Sequence, residues 1–134
     1  MASNFGKTIQ VSTFGASHGY AIGGIVEGLP YGHTIDIDEL QAFLKRRAPG
    51  QNQLQTQRKE ADIPEFLAGM VDGMLSGSPL AFMIRNTSQH SGDYNNLRDI
   101  PRPSHADFTA RMRYGDKVDM RGGGHFSARL TAPL

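Results

Sequence analysis

Glycine is the residue that most restricts how this chain can fold. Sixteen of its 134 residues are glycine, against roughly 7% in average proteins. Because glycine loses the most conformational freedom on folding, we expect many of these positions to serve turns or close contacts with a ligand. Four of them lie in the stretch STFGASHGYAIGG, residues 12–24, around His18. The stretch indicates a backbone that lets another group come close to an imidazole.

The overall composition indicates one small domain and excludes several kinds of site. A chain of 134 residues is long enough to bury a core, and a formal net charge of +1 gives no general attraction to nucleic acid or membranes. The lack of cysteine excludes disulfides and thiolate metal sites. The sequence has neither the apolar core of a signal peptide nor an apolar run near the ~18 residues of a membrane span, so we expect a cytoplasmic protein.

The hydrophobic pattern predicts both strands and helices. Strands are expected at residues 8–14 and 22–27, on either side of the glycine-rich loop. Residues 65–86 are expected to form two further strands joined by a Gly/Ser turn. Long polar loops are expected at 48–62 and 86–107. Because no repeated strand-helix-strand rhythm is visible, the pattern favours an α+β fold over a doubly wound sheet.

Two helices have local sequence signals. Asp36, with Glu39 three residues on, has the spacing of a capping box and predicts the start of a helix. This helix should end at residue 47 or 48, because the residue before Pro49 is disfavoured in helical angles. A second, short helix is predicted over residues 107–114.

Two histidines are candidates for chemistry. His18 lies between Ser17 and Gly19, and an imidazole with a pKa near neutrality can protonate a leaving group or donate to an anion. The alternative is a loop histidine bonded to the backbone. In RPSHADFTARMR, Ser104 is expected to cap the second helix while His105 points into a pocket. The alternative there is a capping segment with a solvated basic face.

A basic cluster, Lys45–Arg47, closes the first helix. Cations at that position are favoured by the helix dipole alone. The same guanidinium groups could clamp a phosphate or carboxylate. With Arg58 and Lys59, the cluster could also bind nucleic acid, although the lack of interleaved aromatic residues and the low net charge count against this interpretation.

The segment DMRGGGHFSARLTA, residues 119–132, contains a further candidate site. We expect its glycine triplet to lead into a helix, with backbone N–H groups facing an anion. Arg121, His125 and Arg129 crowd the same segment. Its spacing fits neither a Walker A loop nor a dinucleotide fingerprint, and no histidine has metal-ligand spacing. Together, the candidate segments favour a doubly anionic, phosphorylated small molecule as ligand.

Five motifs occur in the order seen in chorismate synthases: FGASHGYAIGGIVEGLP, RRAPGQ, TQRKEAD, RPSHADF and RGGGHFSAR. The chain resembles this family over essentially all of its length. Family members are far longer, so residues 1–134 are expected to be the N-terminal part of a truncated chain, and the closing SARLTAPL looks like an interrupted helix. The resemblance implies an α+β sandwich of helices and antiparallel sheets, assembled as a homotetramer.

The resemblance also implies an activity. Chorismate synthase converts 5-enolpyruvylshikimate 3-phosphate to chorismate and phosphate by a 1,4-anti elimination, the last step of the shikimate pathway that supplies aromatic amino acid biosynthesis. This lyase reaction requires reduced FMN, which lends an electron while phosphate leaves. The sequence leaves open whether NADPH serves as the flavin reductant.

The resemblance assigns roles to individual residues. His18 matches the histidine that protonates the departing phosphate, and His105 matches the one that protonates the reduced flavin. The expected substrate-binding residues are Ser17, Arg47 and Arg129. The expected FMN contacts are His125, Phe126 and Ser127.

Three features depart from the family pattern. Many members have Arg-Ser-Ser in place of His125-Phe126-Ser127, and Gln53 stands where arginine is frequent. The family's later flavin contacts and its catalytic aspartate lie beyond Leu134. Two alternatives therefore stay open: a non-catalytic fragment that binds flavin or phosphate, and a weak nucleic-acid binder that uses the basic cluster.

Overall fold

A five-stranded antiparallel sheet organises the described part of the chain. The computed structural model describes residues 3–48, 62–87 and 100–134. The strands are β1 (Asn4–Gly6), β2 (Gln10–Gly15), β3 (Ala21–Glu27), β4 (Pro64–Ala68), β5 (Met70–Val71), β6 (Met74–Leu75) and β7 (Leu80–Arg85). The main sheet has the order β1-β2-β3-β7-β4, and β5 pairs with β6 separately. Gln53, Arg58 and Lys59 lie outside the described residues.

Strands β2 and β3 confirm the two strands expected around the glycine-rich loop. They pair antiparallel up to Gly15, which lies opposite Ile22. Residues 16–20 connect them, with His18 at the centre of the connection. The pairing of β2 with β3 therefore places His18 in the loop at one end of these two strands.

Strands β4 and β7 confirm the two strands expected within residues 65–86. They pair antiparallel, and β7 also pairs with β3, so β7 lies inside the sheet. The expected Gly/Ser turn was too simple a connection. In sequence, the two short strands β5 and β6 lie between β4 and β7 and form a separate ribbon. Asp72 and Gly73 join that ribbon with φ angles of 50° and 78°, which suit a two-residue hairpin connection.

Both helices form where their local signals predict them. Helix α1 spans Ile37–Arg47, and Asp36 Oδ1 accepts a hydrogen bond from the Glu39 backbone N–H at 3.0 Å. Ala48 leaves the helix with an extended ψ of 141°. Helix α2 spans Asp107–Tyr114.

The prediction that Ser104 caps α2 was wrong. The residue before the helix is Ala106, and Ser104 has a left-handed φ of 62°. The segment is held instead by Asp107 in the first turn, whose Oδ2 accepts from the Arg102 backbone N–H at 3.1 Å. A carboxylate inside the helix has replaced the expected hydroxyl before it.

The expected helix after the glycine triplet was also wrong. Two short 3-10 turns, Arg121–Phe126 and Ala128–Thr131, occupy this segment. Gly122, Gly123 and Gly124 have φ angles of 59°, 93° and 57°, which interrupt any regular helix. Glycine reaches these angles at little steric cost, so the triplet turns the backbone here.

The core lies on one face of the sheet. Ile22 on β3 and Ile84 on β7 are register partners, and both pack against Leu130 from the second 3-10 turn. An apolar cavity of about 210 Å³ is lined by residues of α1, β4, β7 and the final residues 132–134. Helices together with an antiparallel sheet confirm the α+β class. Among the described residues, no helix has the length and apolar character to cross a membrane.

Candidate active site

The β2–β3 loop buries the first histidine that the sequence singled out. Ser17 is 2% exposed and His18 is 7% exposed. The Gly19 N–H donates to the Ala16 carbonyl at 3.0 Å, and the Ser17 N–H donates to the Gly124 carbonyl at 3.0 Å. The loop is therefore closed on itself and tied to the glycine triplet more than 100 residues away in sequence.

The glycine triplet packs directly on the buried histidine. A Cβ atom at Gly122 would lie 2.5 Å from His18 Cδ2, 2.6 Å from Nε2 and 3.0 Å from Ser17 Oγ. No side chain fits at such distances without a shift of its neighbours. The triplet was predicted to approach an anion, and the described contacts instead bring it against the imidazole.

Asn86, which the sequence analysis missed, holds the loop from the other side. Its Nδ2 donates to the carbonyl oxygens of Ala16 and Gly19 at 3.0 and 2.9 Å. Its Oδ1 accepts from Arg129 Nε at 3.1 Å. One buried amide thereby joins the histidine loop to an arginine that was predicted to bind substrate.

Arg129 forms a buried ion pair with Asp62. Its Nη1 donates to Asp62 Oδ1, and the two side chains are 6% and 4% exposed. Asp62 occurs in the TQRKEAD motif, where no local pattern distinguishes it from the neighbouring charged residues. The structure thus places Arg129 beside the His18 loop, balanced by an internal carboxylate.

A second ion pair lies close to His18. Arg121 Nε and Nη2 donate to Asp119 at 2.9 and 2.7 Å. These bonds hold the pKa of the Asp119 carboxyl below its usual range and raise the pKa of Arg121. The positive form of His18 adds to the lowering at Asp119, so a carboxylate lies within electrostatic reach of this imidazole.

His105 has a different setting from His18. It is exposed, and its backbone N–H donates to the Arg102 carbonyl at 3.4 Å. Arg102 forks onto the buried Asp107 at 2.8 and 2.9 Å, which holds the pKa of Asp107 below its usual range. Arg102 Nη2 also donates to the Met120 carbonyl at 3.1 Å. This ion pair links the His105 segment to the residue just before the glycine turn.

The three expected flavin contacts divide into structural and exposed groups. His125 Nδ1 lies 3.0 Å from the Gly15 carbonyl, which can only accept, and its Nε2 lies 2.9 Å from Ser3 Oγ. Ser127 Oγ accepts from the Arg129 backbone N–H at 3.2 Å. Phe126 is 47% exposed and packs against the Tyr114 ring, with centroids 6.1 Å apart. Only Phe126 presents a broad open surface.

Arg47 lies at the end of α1, on the side of the C-terminal segment. Its Nη2 donates to the Thr131 carbonyl at 3.0 Å, and its guanidinium lies 5.8 Å from the Phe43 ring centroid. The contact with Thr131 links α1 to the 3-10 turn that contains Arg129. The structure thus brings Ser17, His18 and Arg129 into one cluster around Asn86. Arg47 and His105 lie on neighbouring elements, with contacts to Thr131 and Arg102 respectively.

Comparison with known proteins identifies the family of this chain. A family model described as chorismate synthase matches residues 9–134. The chain belongs to the chorismate synthase family. It is 50% identical over 131 residues to the chorismate synthase of Bacteroides thetaiotaomicron, and 52% identical over 130 residues to that of Campylobacter curvus. The matches cover 98% and 97% of this chain but 36% of each relative.

The fold agrees with the same family. A crystal structure of chorismate synthase matches with a TM-score of 0.60 and 29% sequence identity, over 95% of this chain and 31% of that chain. This match confirms the expected chorismate synthase fold class. The chain spans about a third of the length of the curated relatives it matches, which are chorismate synthases by name.

Proposed function

We propose that this chain provides the N-terminal part of a chorismate synthase, which eliminates phosphate from 5-enolpyruvylshikimate 3-phosphate to give chorismate. The observation that carries the proposal is the placement of His18. It is buried, covered by Gly122 and tied through Asn86 to Arg129. A confined imidazole beside a guanidinium suits a step in which a phosphate dianion leaves and takes up a proton.

In the proposed 1,4-elimination, the C–O bond to phosphate breaks, and the electrons of a C–H bond on the opposite face of the ring complete the new diene. The proton from that C–H bond passes to a base, for which the family resemblance indicates an aspartate that lies after residue 134. His18 gives its imidazolium proton to an oxygen of the leaving phosphate. Ser17, Arg47 and Arg129 bind the phosphate and carboxylates of the substrate. The Asp62 carboxylate paired with Arg129 partly compensates the positive charge that Arg129 offers to the substrate.

Reduced FMN belongs to the proposal as the cofactor, and when bound it would lend an electron while phosphate departs. The exposed ring of Phe126 beside Tyr114 fits contact with a planar aromatic group. His125 and Ser127 would act behind this surface, since both hold neighbouring backbone in place. His105, being exposed, could give a proton to the flavin if other parts of the protein enclose it. NADPH as flavin reductant and a homotetrameric assembly complete the proposal.

A non-catalytic fragment that binds flavin or phosphate is the second candidate. It is favoured by the pairing of Arg102, Arg121 and Arg129 with aspartates. Three cations balanced by three carboxylates add no net charge for an anion. Under this alternative, the chain would bind one component weakly and would not turn over.

An anaerobic assay distinguishes the two. The chain is mixed with dithionite-reduced FMN and 5-enolpyruvylshikimate 3-phosphate, and chorismate is followed, with the full-length Bacteroides thetaiotaomicron enzyme as positive control. Chorismate formation by the chain supports the proposal in its strongest form. No turnover, with flavin absorbance still changing on titration, favours the non-catalytic fragment.

His18→Ala tests the assigned role in a chain that turns over. We expect a loss of roughly 10²–10⁴-fold in kcat, the usual range for a general acid or base. His105→Ala should fall in the same range if His105 protonates the flavin. Full activity in both variants would contradict both assignments.

A further inference from the structure

Asn86 makes more directed contacts than a residue placed only to end a strand requires. It follows β7 directly and is 9% exposed. Its backbone N–H donates to the Tyr20 carbonyl at 3.1 Å. Its side chain donates to Ala16 and Gly19 and accepts from Arg129. Both ends of the connection between β2 and β3 are therefore fixed by one residue just after a neighbouring strand.

The chemistry of these partners fixes the orientation of the amide. The carbonyl oxygens of Ala16 and Gly19 can only accept hydrogen bonds, and the Arg129 guanidinium can only donate them. An amide meets both demands at once, with its nitrogen toward the loop and its oxygen toward the arginine. An aspartate of the same shape would suit Arg129 but would set a carboxylate oxygen against two carbonyls. Position 86 thus requires asparagine rather than any small polar residue.

The two carbonyls flank Ser17 and His18, so the bonds to Asn86 set the width of the loop that carries the imidazole. The third bond sets the guanidinium of Arg129 relative to the same amide. Reacting groups work only when neighbouring contacts hold them in the productive geometry. The Gly122 backbone packs against the His18 ring. The side-chain amide of Asn86 is therefore the group whose substitution can release the loop without changing that contact directly.

We propose that Asn86 is a positioning residue, whose side-chain amide holds the His18 loop and Arg129 in one fixed geometry. Its value for catalysis rests on the proposed function. The placement itself does not, because it concerns the accessibility of an imidazole and can be measured without flavin or substrate.

The test compares Asn86→Asp and Asn86→Ala with the wild type. Diethylpyrocarbonate modifies neutral, accessible imidazoles, so the rate at His18 is followed by mass spectrometry relative to the exposed His33. Loss of the two loop bonds should raise the His18 rate by about tenfold or more in both variants, as the loss of two buried hydrogen bonds implies. In Asn86→Asp, the added negative charge opposes modification, because it favours the protonated imidazole, which does not react with diethylpyrocarbonate. A higher His18 rate in that variant would therefore come from greater accessibility of the ring.

Leu44→Ala is the matched control for general destabilisation, because it opens a cavity at a buried position of α1. We expect it to leave the His18 rate within about twofold of wild type under conditions in which all variants stay folded. A His18 rate that does not rise in the Asn86 variants, or that rises equally in Leu44→Ala, would overturn the proposal.

A measurement on the wild type covers the case in which the Asn86 variants do not fold. The side-chain NH₂ protons of Asn86 should exchange with solvent at least about tenfold more slowly than those of the exposed Asn4. The reason is that the amide nitrogen of Asn86 donates to two part-buried carbonyl oxygens, those of Ala16 and Gly19. Equal exchange at the two amides would show that the loop is not held, and would refute the proposal. Turnover in the chorismate assay affects neither outcome, so failure here and failure of the proposed function can be told apart.

Discussion

The two histidines with expected roles as proton donors lie in opposite kinds of environment. His18 is buried, covered by Gly122 and supported by Asn86 and the Arg129–Asp62 pair. His105 is exposed beside α2, and the Arg102–Asp107 pair beneath it secures the helix rather than the imidazole. The described chain therefore preorganises one histidine by its own contacts. The other would need further parts of a protein to enclose it.

This difference should appear as a gradient of sensitivity across the molecule. Substitutions beneath His18 remove the partners of buried polar groups, and water cannot supply new hydrogen bonds to these groups. We therefore expect a large loss of free energy of unfolding. On the His105 side, Asp107 is buried but the Arg102 side chain is 18% exposed, so water can solvate the guanidinium that a substitution of Asp107 would leave unpaired, and the cost is lower. The predictions below run from the first kind to the second.

Asp62→Asn should have the largest effect. The substitution removes the charge partner of the buried Arg129 side chain. Asparagine has the same shape as aspartate and also tolerates the left-handed φ of 47° at this position. We expect the free energy of unfolding to fall by about 3–5 kcal/mol, the range for breaking one side of a buried ion pair. Urea denaturation measures it. Asp72→Asn is the control, since Asp72 has a similar φ of 50° but is exposed, and an equal loss there would break the comparison.

Gly122→Ala should come next. The added methyl group would lie 2.5 Å from His18 Cδ2, and the alanine backbone would have to adopt the φ of 59° that glycine has here. Left-handed strain and overpacking together should lower the free energy of unfolding by about 2–4 kcal/mol and shift the His18 ring resonances in NMR spectra. Gly73→Ala carries the strain without the contact, because its φ is 78° and nothing lies within 4 Å of its Cβ position. Identical losses in the two variants would mean that the contact with His18 is unimportant.

Asp107→Asn tests the support on the His105 side. Arg102 holds the folded pKa of Asp107 below the unfolded value of about 3.9. The stabilisation of the fold by the Asp107 carboxylate is therefore present above about pH 4 and is lost as the pH falls through the lower pKa of the folded state. Near neutral pH we expect a loss of about 1.5–3 kcal/mol, as for a charge-assisted hydrogen bond. The difference between wild type and variant, measured by urea unfolding at several pH values, should shrink in acid, and a constant difference would be unexpected.

His105→Ala should have the smallest effect on stability. An exposed side chain away from buried contacts changes the free energy of unfolding by no more than about 0.5 kcal/mol. Thermal unfolding at neutral pH checks this value. A loss comparable to that of Gly122→Ala would show that His105 is embedded like His18, and the contrast between the two histidines would disappear.

Local signals predicted the elements that depend on local chemistry. Asp36 and Glu39 form the capping arrangement that their spacing indicates, and α1 ends before Pro49 as the steric rule requires. The strands expected at residues 8–14 and 22–27 lie within two residues of the bounds of β2 and β3. The family resemblance supplied the fold class, because five motifs in order are a far stronger signal than any periodicity.

The site could be predicted only in outline. His18 and Arg129 stood out by residue type, but Asn86 and Asp62 belong to ordinary polar stretches and gain meaning only from partners 43 to 70 residues away. The path of the glycine triplet could not be predicted, because Gly122 packs against His18, a contact that no local pattern contains. Tertiary contacts decided both the partner of Arg129 and the path of the triplet.

The margins of the sheet have a consequence for self-association. Within the described residues, the sheet ends at β1, which is three residues long, and at β4, which begins with Pro64 and shifts register between Phe66 and Ala68. Short, irregular or proline-bearing margins offer few aligned backbone groups to an incoming strand. Strand addition at these two described margins is therefore disfavoured, which lowers the tendency toward fibril-like growth through this sheet.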